Sequence, residues 1–369
     1  MKRRIVSVLA AGLLTCGVPA AAAPLIDCPL RDEPFSIDLP LIDVMLSPAA
    51  RELLDAVSNG GMNRLPPRFA GTTPPSFAAI LSVREGAALA GINADTLPSL
   101  DGKLRALPVT RADKVARCAR YDIAVPDLAI PEGKPRLLLF EKINGYRDGP
   151  SVDAAHAAFL EMAREEGWAI TSTDRAGAFT PAVLSRFDAV IWNNISGDVL
   201  TLRQRAAFRN YIEKGGAFIG IHGSAGDPVY FWPWYVDTLI GARFKGHPMG
   251  PQFQDARVRL DDPQHPIARG LPAEWTMNDE WYSFKTNPRA TGSRIVATLD
   301  EGTYKPAGMT GDLRMGDHPI AWSRCVGKGR AFYSAIGHRP ERYADELYRK
   351  MLIQAIDWVI TSTDCGLTR

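Results

Sequence analysis

Ala217-Phe218-Ile219-Gly220-Ile221-His222 is a short apolar run that stops at a histidine. A run of this length without polar alternation is the mark of a strand buried on both faces. It is the fourth of a series. Arg136-Leu137-Leu138-Leu139-Phe140, Ala169-Ile170-Thr171-Ser172-Thr173 and Ala189-Val190-Ile191-Trp192 precede it. Helical spacing fills the gaps at 152–167, 181–186 and 201–214, the last closed by Gly215-Gly216. Repeated strand–helix–strand units of this size predict a parallel sheet flanked by helices. Ligands of such sheets bind outside the carboxyl ends of the strands. His222, Asn193-Asn194 and the stretch 142–148 stand at those ends.

Working outward, the pattern after residue 250 is less regular. Strands are expected at 256–260, 293–299, 319–322 and 331–336. Val326-Gly327-Lys328-Gly329 reads as a hairpin turn, and 343–361 as a closing amphipathic helix. Before residue 134 there is no strand pattern. Ser47-Pro48 opens a helical stretch, and 77–89 and 112–121 read as two more. Ile130-Pro131-Glu132-Gly133-Lys134-Pro135 reads as a linker. The division expected is a leader over 1–23, a mostly helical N-terminal extension over 24–133, and an α/β domain over 134–369.

The leader rests on Lys2, Arg3 and Arg4, an apolar run over 5–18, and the small residues Ala20 to Ala23. That order describes a secretory signal peptide cut near Ala22 or Ala23, and the apolar run is too short to span a bilayer. An exported protein, periplasmic or extracellular, is expected; Leu14-Thr15-Cys16 matches a lipoprotein signal only loosely. Cys28, Cys118, Cys325 and Cys365 remain after cleavage. An oxidising compartment favours disulfides, and three pairings are open. Position along the chain favours Cys28 with Cys118 and Cys325 with Cys365. No CxxC spacing supports a thiolate zinc site. With 43 basic and 41 acidic residues and a net charge of +2, nothing points to nucleic acid.

Five of the six histidines, His222, His247, His265, His318 and His338, sit against a glycine or proline. Those residues mark turns and strand ends, where side chains face clefts. Imidazole suits proton transfer near neutral pH and metal ligation. His265, within Asp262-Pro263-Gln264-His265-Pro266, reads as a structural loop.

Residues 134–361 resemble the ThuA-like, or trehalose-utilisation, family. The resemblance rests on an ordered set: Gly216-Ala217-Phe218-Ile219-Gly220-Ile221-His222, Trp232-Pro233-Trp234-Tyr235, Phe244-Lys245-Gly246-His247-Pro248, Asp279-Glu280-Trp281-Tyr282, Gly316-Asp317-His318-Pro319-Ile320-Ala321-Trp322 and Gly337-His338. It implies a flavodoxin-like three-layer α/β sandwich, similar to class I glutamine amidotransferases, behind the N-terminal extension. In those enzymes a cysteine occupies the turn filled here by Gly220-Ile221-His222-Gly223-Ser224. Imidazole cannot form the thioester, so glutaminase activity is expected to be absent. Ser224 is a weaker nucleophile candidate, because its setting lacks the Gly-x-Ser-x-Gly elbow. One departure from the family pattern is Tyr146-Arg147-Asp148, where an aromatic-Arg-His motif is usual. If that histidine is a ligand or base in the family, either Asp148 takes over, as a carboxylate of lower ordinary pKa, or the chemistry changes.

The expected catalytic residues are His222, Glu280, Asp148 and His318. Glu280 qualifies as an acid beside aromatics, where a raised pKa suits general acid–base work. Tyr146, Arg147, Trp232, Trp234, Lys245, His247, Trp281, Tyr282 and His338 are expected to contact substrate. Aromatic faces suit sugar rings and cations suit hydroxyls or an oxyanion. A divalent metal is a candidate cofactor. The family resemblance implies a carbohydrate substrate, an oxidised (3-keto) disaccharide undergoing proton abstraction or cleavage. The alternative is a non-catalytic carbohydrate-binding module on an amidotransferase-like scaffold.

Overall fold

The computed structural model describes residues 25–309 and 311–361. The leader over 1–23 and Cys365 lie outside them. The α/β region begins with four strands, β1 (Arg136–Phe140), β2 (Ala169–Thr173), β3 (Ala189–Asn193) and β4 (Ala217–Ile221). It continues through β5 (Phe244–Gly246), β6 (Phe253–Leu260), β7 (Glu274–Glu280), β8 (Ser283–Phe284) and β9 (Arg294–Asp300). The chain then forms β10 (Ala307–Gly308), β11 (Gly311–Asp312), β12 (Pro319–Val326) and β13 (Gly329–Ser334).

Nine of these make one sheet in the order β2-β1-β3-β4-β13-β12-β9-β6-β7. Its first five strands are parallel, and their order is that of a flavodoxin-like sheet. The remainder is antiparallel, starting from the β12–β13 hairpin. The chemistry of the segments explains the change. In β1, Leu137, Leu138, Leu139 and Phe140 are all fully buried, as a strand covered on both faces requires. In β6 exposed and buried residues alternate, as in a sheet with one wet face.

The helix Gly149–Glu166 starts under Asp148, whose carboxylate accepts the Ser151 N–H, and ends at Gly167 in left-handed conformation. Leu202–Glu213 opens with a Thr201–Gln204 capping box. Glu346–Thr361 packs on β4 and β13. The closing helix is therefore shorter than expected, because Pro340–Ala344 forms a separate 3₁₀ turn. Among the described residues no helix is long and apolar enough to cross a membrane.

The N-terminal extension is helical, and its own apolar cluster includes Phe35, Ile42, Leu54 and Leu100. The expected helix over 77–89 is broken into a turn at Phe77–Ala79 and a short helix at Val83–Gly86. Each piece has a serine cap, Ser76 and Ser82, and Ser82 also bridges to Pro40. The serine caps compete with the continuous helix and win. Cys28 and Cys118 are disulfide-bonded, their Cα atoms 5.4 Å apart. Arg117 is fully buried in the same region and donates to the carbonyls of Leu30, Arg31 and Glu33. Ser76 N–H donates to the carbonyl of Asn144 at 3.0 Å, docking the extension at the carboxyl end of β1.

Candidate active site

The strand β4 ends in a tight turn that puts His222 at φ +34°. Asn194, one residue past β3, has φ +54°. A left-handed conformation costs a residue with a Cβ about 1–2 kcal/mol, and such strain persists where the surroundings fix it. Here they do. The Tyr333 hydroxyl donates to the His222 carbonyl at 2.7 Å, and Asn194 Oδ1 accepts the Gly223 N–H at 3.1 Å.

Strand β7 enters the same space from the antiparallel half of the sheet. Asp279 is fully buried and accepts the backbone N–H groups of Gly337, Arg339 and Glu280 at 2.7, 3.0 and 2.9 Å. Burial raises its carboxyl above the usual range, partly offset by His222 and these donors. Asp279 thereby pins the loop after β13 to the end of β7. That sets His338 beside Glu280.

Three imidazoles then meet one carboxylate. His222 Nε2 lies 3.3 Å and His338 Nδ1 3.0 Å from Glu280 Oε2, while His247 Nδ1 lies 3.1 Å from Oε1. Gln252 also donates to Oε1. His222 Nδ1 is 2.7 Å from the Ala335 carbonyl, which can only accept. Nδ1 therefore carries a proton, and Nε2 is the ring nitrogen turned toward Glu280 and His338. Burial opposes charge on both Glu280 and His338, but their mutual contact wins. Glu280 is held well below the usual carboxylate range by its hydrogen bonds with His222 and then His338, and His338 is raised above the usual histidine value by Glu280.

The donor atoms of His222, Glu280 and His338 lie within 4.8 Å of one another. Two imidazoles and one carboxylate form a donor set of the kind that zinc sites use. The set has the right chemistry as well as the spacing: one ring is oriented by the Ala335 carbonyl, and the carboxylate is already ionised. The residues fit a divalent cation.

A cleft of about 460 Å³ opens over this cluster, within the usual range for small-molecule sites. Tyr146, Asp148, His222, His247, Glu280, Tyr282 and His338 line it. Asp148 Oδ2 is 4.0 Å from His338 Nε2 and is also the helix cap described above. The other expected residues lie elsewhere. His318 is buried, with Nδ1 on Glu301 at 2.8 Å and Nε2 on the Tyr282 carbonyl at 2.9 Å, so both ring nitrogens serve the scaffold. Trp281 is buried and donates to the Gln254 carbonyl. Trp232 packs between Arg205 and Tyr235, and Trp234 lies under Arg209. Lys245 donates to the Asp312 carbonyl, and Arg147 pairs with Asp153. Ser224 is buried and donates to the Trp192 carbonyl. His265 caps a 3₁₀ turn and meets Ser323, a scaffold role.

Asp227 also lines the cleft and was not among the expected residues. Gly226-Asp227-Pro228 carries the same glycine–proline punctuation that singled out the histidines. Asp227 accepts the Ser196 hydroxyl at 2.6 Å and the Gly197 N–H at 2.7 Å. Burial nevertheless pushes its carboxyl up to about 7. A raised folded value contributes stability below the ordinary 3.8 that is lost as pH rises through about 7. Asp227→Asn should therefore gain on the wild type by roughly 2–3 kcal/mol between pH 5 and pH 8. Urea unfolding at the two pH values measures this; parallel pH dependence in both proteins contradicts it.

Gly337 supplies a second check. Its φ is +129°, and an added Cβ would lie 2.6 Å from the Tyr343 hydroxyl. That hydroxyl donates to the Gly337 carbonyl and accepts from Asn194. Gly337→Ala should cost about 1–3 kcal/mol in denaturant unfolding and displace His338. Unchanged stability and unchanged activity would contradict this account of the loop.

The fold and the imidazole–carboxylate cleft define an α/β protein of the flavodoxin-like kind with a candidate acid–base or metal centre. The family model described as "ThuA: Trehalose utilisation" matches residues 136–359, and the chain belongs to that family. Among solved structures it is similar to a ThuA-like protein from Bacteroides uniformis ATCC 8492, at 25% identity and a TM-score of 0.54. That match covers 65% of this chain and 96% of the other. A ThuA-like protein from Parabacteroides merdae ATCC 43184 matches at 17% identity and a TM-score of 0.45, over 61% of this chain and 90% of the other. No curated protein matches. Family membership points to a carbohydrate-related role.

Proposed function

We propose that the chain is an exported enzyme acting on an oxidised (3-keto) sugar, by proton abstraction or cleavage next to the ketone, without glutaminase activity. The observation that carries this reading is the convergence of His222, Glu280 and His338 in one buried cluster open to a cleft. A divalent cation held by these three would polarise the carbonyl and stabilise the oxyanion.

The chain's own groups supply the rest. Asp148 stands on the cleft wall as the base, held in place by its hydrogen bond from the Ser151 N–H. Asp227 retains its proton into the neutral range and donates to oxygen as negative charge grows there. Tyr146 and Tyr282 border the sugar. A histidine at the end of β4 has no thiolate chemistry, which supports the absence of glutaminase activity. Export is supported by the basic, apolar and small-residue order of the leader and by the Cys28–Cys118 disulfide.

The test combines metal analysis of the purified protein with turnover of 3-keto-glucosides. About one divalent cation per chain, with turnover lost on chelation and restored by readdition, supports the proposal. A protein that binds sugar without turnover, with or without cation, would instead be the binding module.

A further inference from the structure

The cleft is not built by the family domain alone. Arg68, Phe69, Phe77, Ile80, Leu81 and Leu89 of the N-terminal extension form part of its lining, and all six precede the stretch matched to the family. Phe69 stacks on Phe77 with centroids 4.9 Å apart, Phe77 meets Tyr146 at 5.1 Å, and Tyr146 stacks toward His338 at 6.5 Å. A ladder of rings thus runs from the imidazole–carboxylate cluster outward onto the extension. The extension is firmly seated: besides the Ser76–Asn144 bond, Ile80 packs so closely on Gly145 that a Cβ there would lie 2.4 Å from its Cγ2. Leu89 is 41% exposed, and Met249 and Met309 are 48% and 76% exposed. All three line the same cleft. The Pro248–Gly308 bridge brings the two methionines together.

Large apolar side chains left in water around a concave site mark a binding surface. Phe69, Phe77, Leu89, Met249 and Met309 carry no side-chain hydrogen-bond donor for hydroxyls. Arg68, stacked over Phe69 at 5.0 Å, is the single side-chain donor among the six extension residues named, so a second sugar ring placed there would recover few of the hydrogen bonds its hydroxyls lose. A flat apolar group would gain from burial and from offset stacking on Phe77 and Tyr146.

Resting on the carbohydrate reading above, we infer that the extension supplies a subsite for an aromatic aglycone. The ligand class is then an aryl glycoside, with its sugar at the His222–Glu280–His338 end and its aryl group against Phe77, Phe69 and Leu89.

Isothermal titration with the 3-keto forms of phenyl glucoside, methyl glucoside and a glucosyl-glucose disaccharide tests this. The phenyl compound should bind at least about tenfold more tightly than either other ligand. Phe77→Ala should reduce that ratio at least threefold, and an unchanged ratio overturns the subsite. Leu89→Ser, at an exposed position that does not threaten folding, should act in the same direction. Equal binding of phenyl and methyl compounds, or preference for the disaccharide, overturns the aglycone subsite and leaves the carbohydrate reading standing. Failure of all three to bind overturns both.

Discussion

Glu280→Gln should abolish cation retention and, with it, the turnover that depends on the cation. The change keeps the shape and removes one charge, so its effects trace to electrostatics. Glu280 is the common partner of His222, His247 and His338, and it is almost wholly buried. Removing one member of a buried charged pair typically costs about 3–5 kcal/mol. The pH dependence of the cation-free protein identifies the source. The lowered Glu280 contributes stability above its ordinary value of 4.5, lost as pH falls through its depressed folded value. The raised His338 contributes stability below its ordinary 6.5, lost as pH rises through its elevated folded value. Cation-free wild type should therefore be favoured between these ordinary values, and Glu280→Gln should flatten both limbs. Metal content by plasma mass spectrometry and urea unfolding from pH 3 to pH 8 report the outcome. A Glu280→Gln variant with full metal stoichiometry and full turnover would refute the proposed role of the cluster.

The second large effect is in the extension. Cys28 and Cys118 are 90 positions apart. Opening a loop of that length costs roughly 4–5 kcal/mol in the chain-entropy account. The doubly substituted Cys28→Ser, Cys118→Ser protein should lose stability of that order. The loss should fall first on the extension, because the bridge ties its two ends. Hydrogen exchange resolved by region is the decisive measurement. Residues 35–104 should exchange faster while β1, β3 and β4 stay protected. Uniform loss across the whole chain would show that the extension and the sheet unfold as one unit, and an unchanged midpoint would show that the bridge contributes nothing.

The parallel half of the sheet was legible because its residues leave no alternative. Leu137-Leu138-Leu139 and Phe218-Ile219 are apolar on consecutive positions, and consecutive positions point to opposite faces of a strand. The antiparallel half was harder to delimit. Strands such as Glu274–Glu280 carry many polar residues, and pairing across the sheet rather than local pattern decides their ends. Within the site, His222, His247 and His338 were visible through their glycine and proline neighbours, and Glu280 through Trp281-Tyr282. The same aromatic signal misled at Trp281, Trp232 and Trp234. Ring density in a segment tells nothing about which side of the backbone faces a cleft. His318 shares the His-Pro context of His247, yet Glu301 captures its ring from 17 positions away. No local reading could anticipate that. Phe69 and Phe77 were hidden for the same reason: their meaning depends on where the extension docks.

The tether from His222 Nδ1 to the Ala335 carbonyl has one further consequence. That contact fixes the ring with Nε2 toward Glu280, so a cation held there would meet a ring already oriented. A cation held there would need the Nδ1 lone pair of His338, the nitrogen that now faces Glu280 at 3.0 Å. Were a divalent cation to bind here, a charged His338 would have to lose a proton, so affinity would rise with alkalinity only up to the pH at which that ring is neutral.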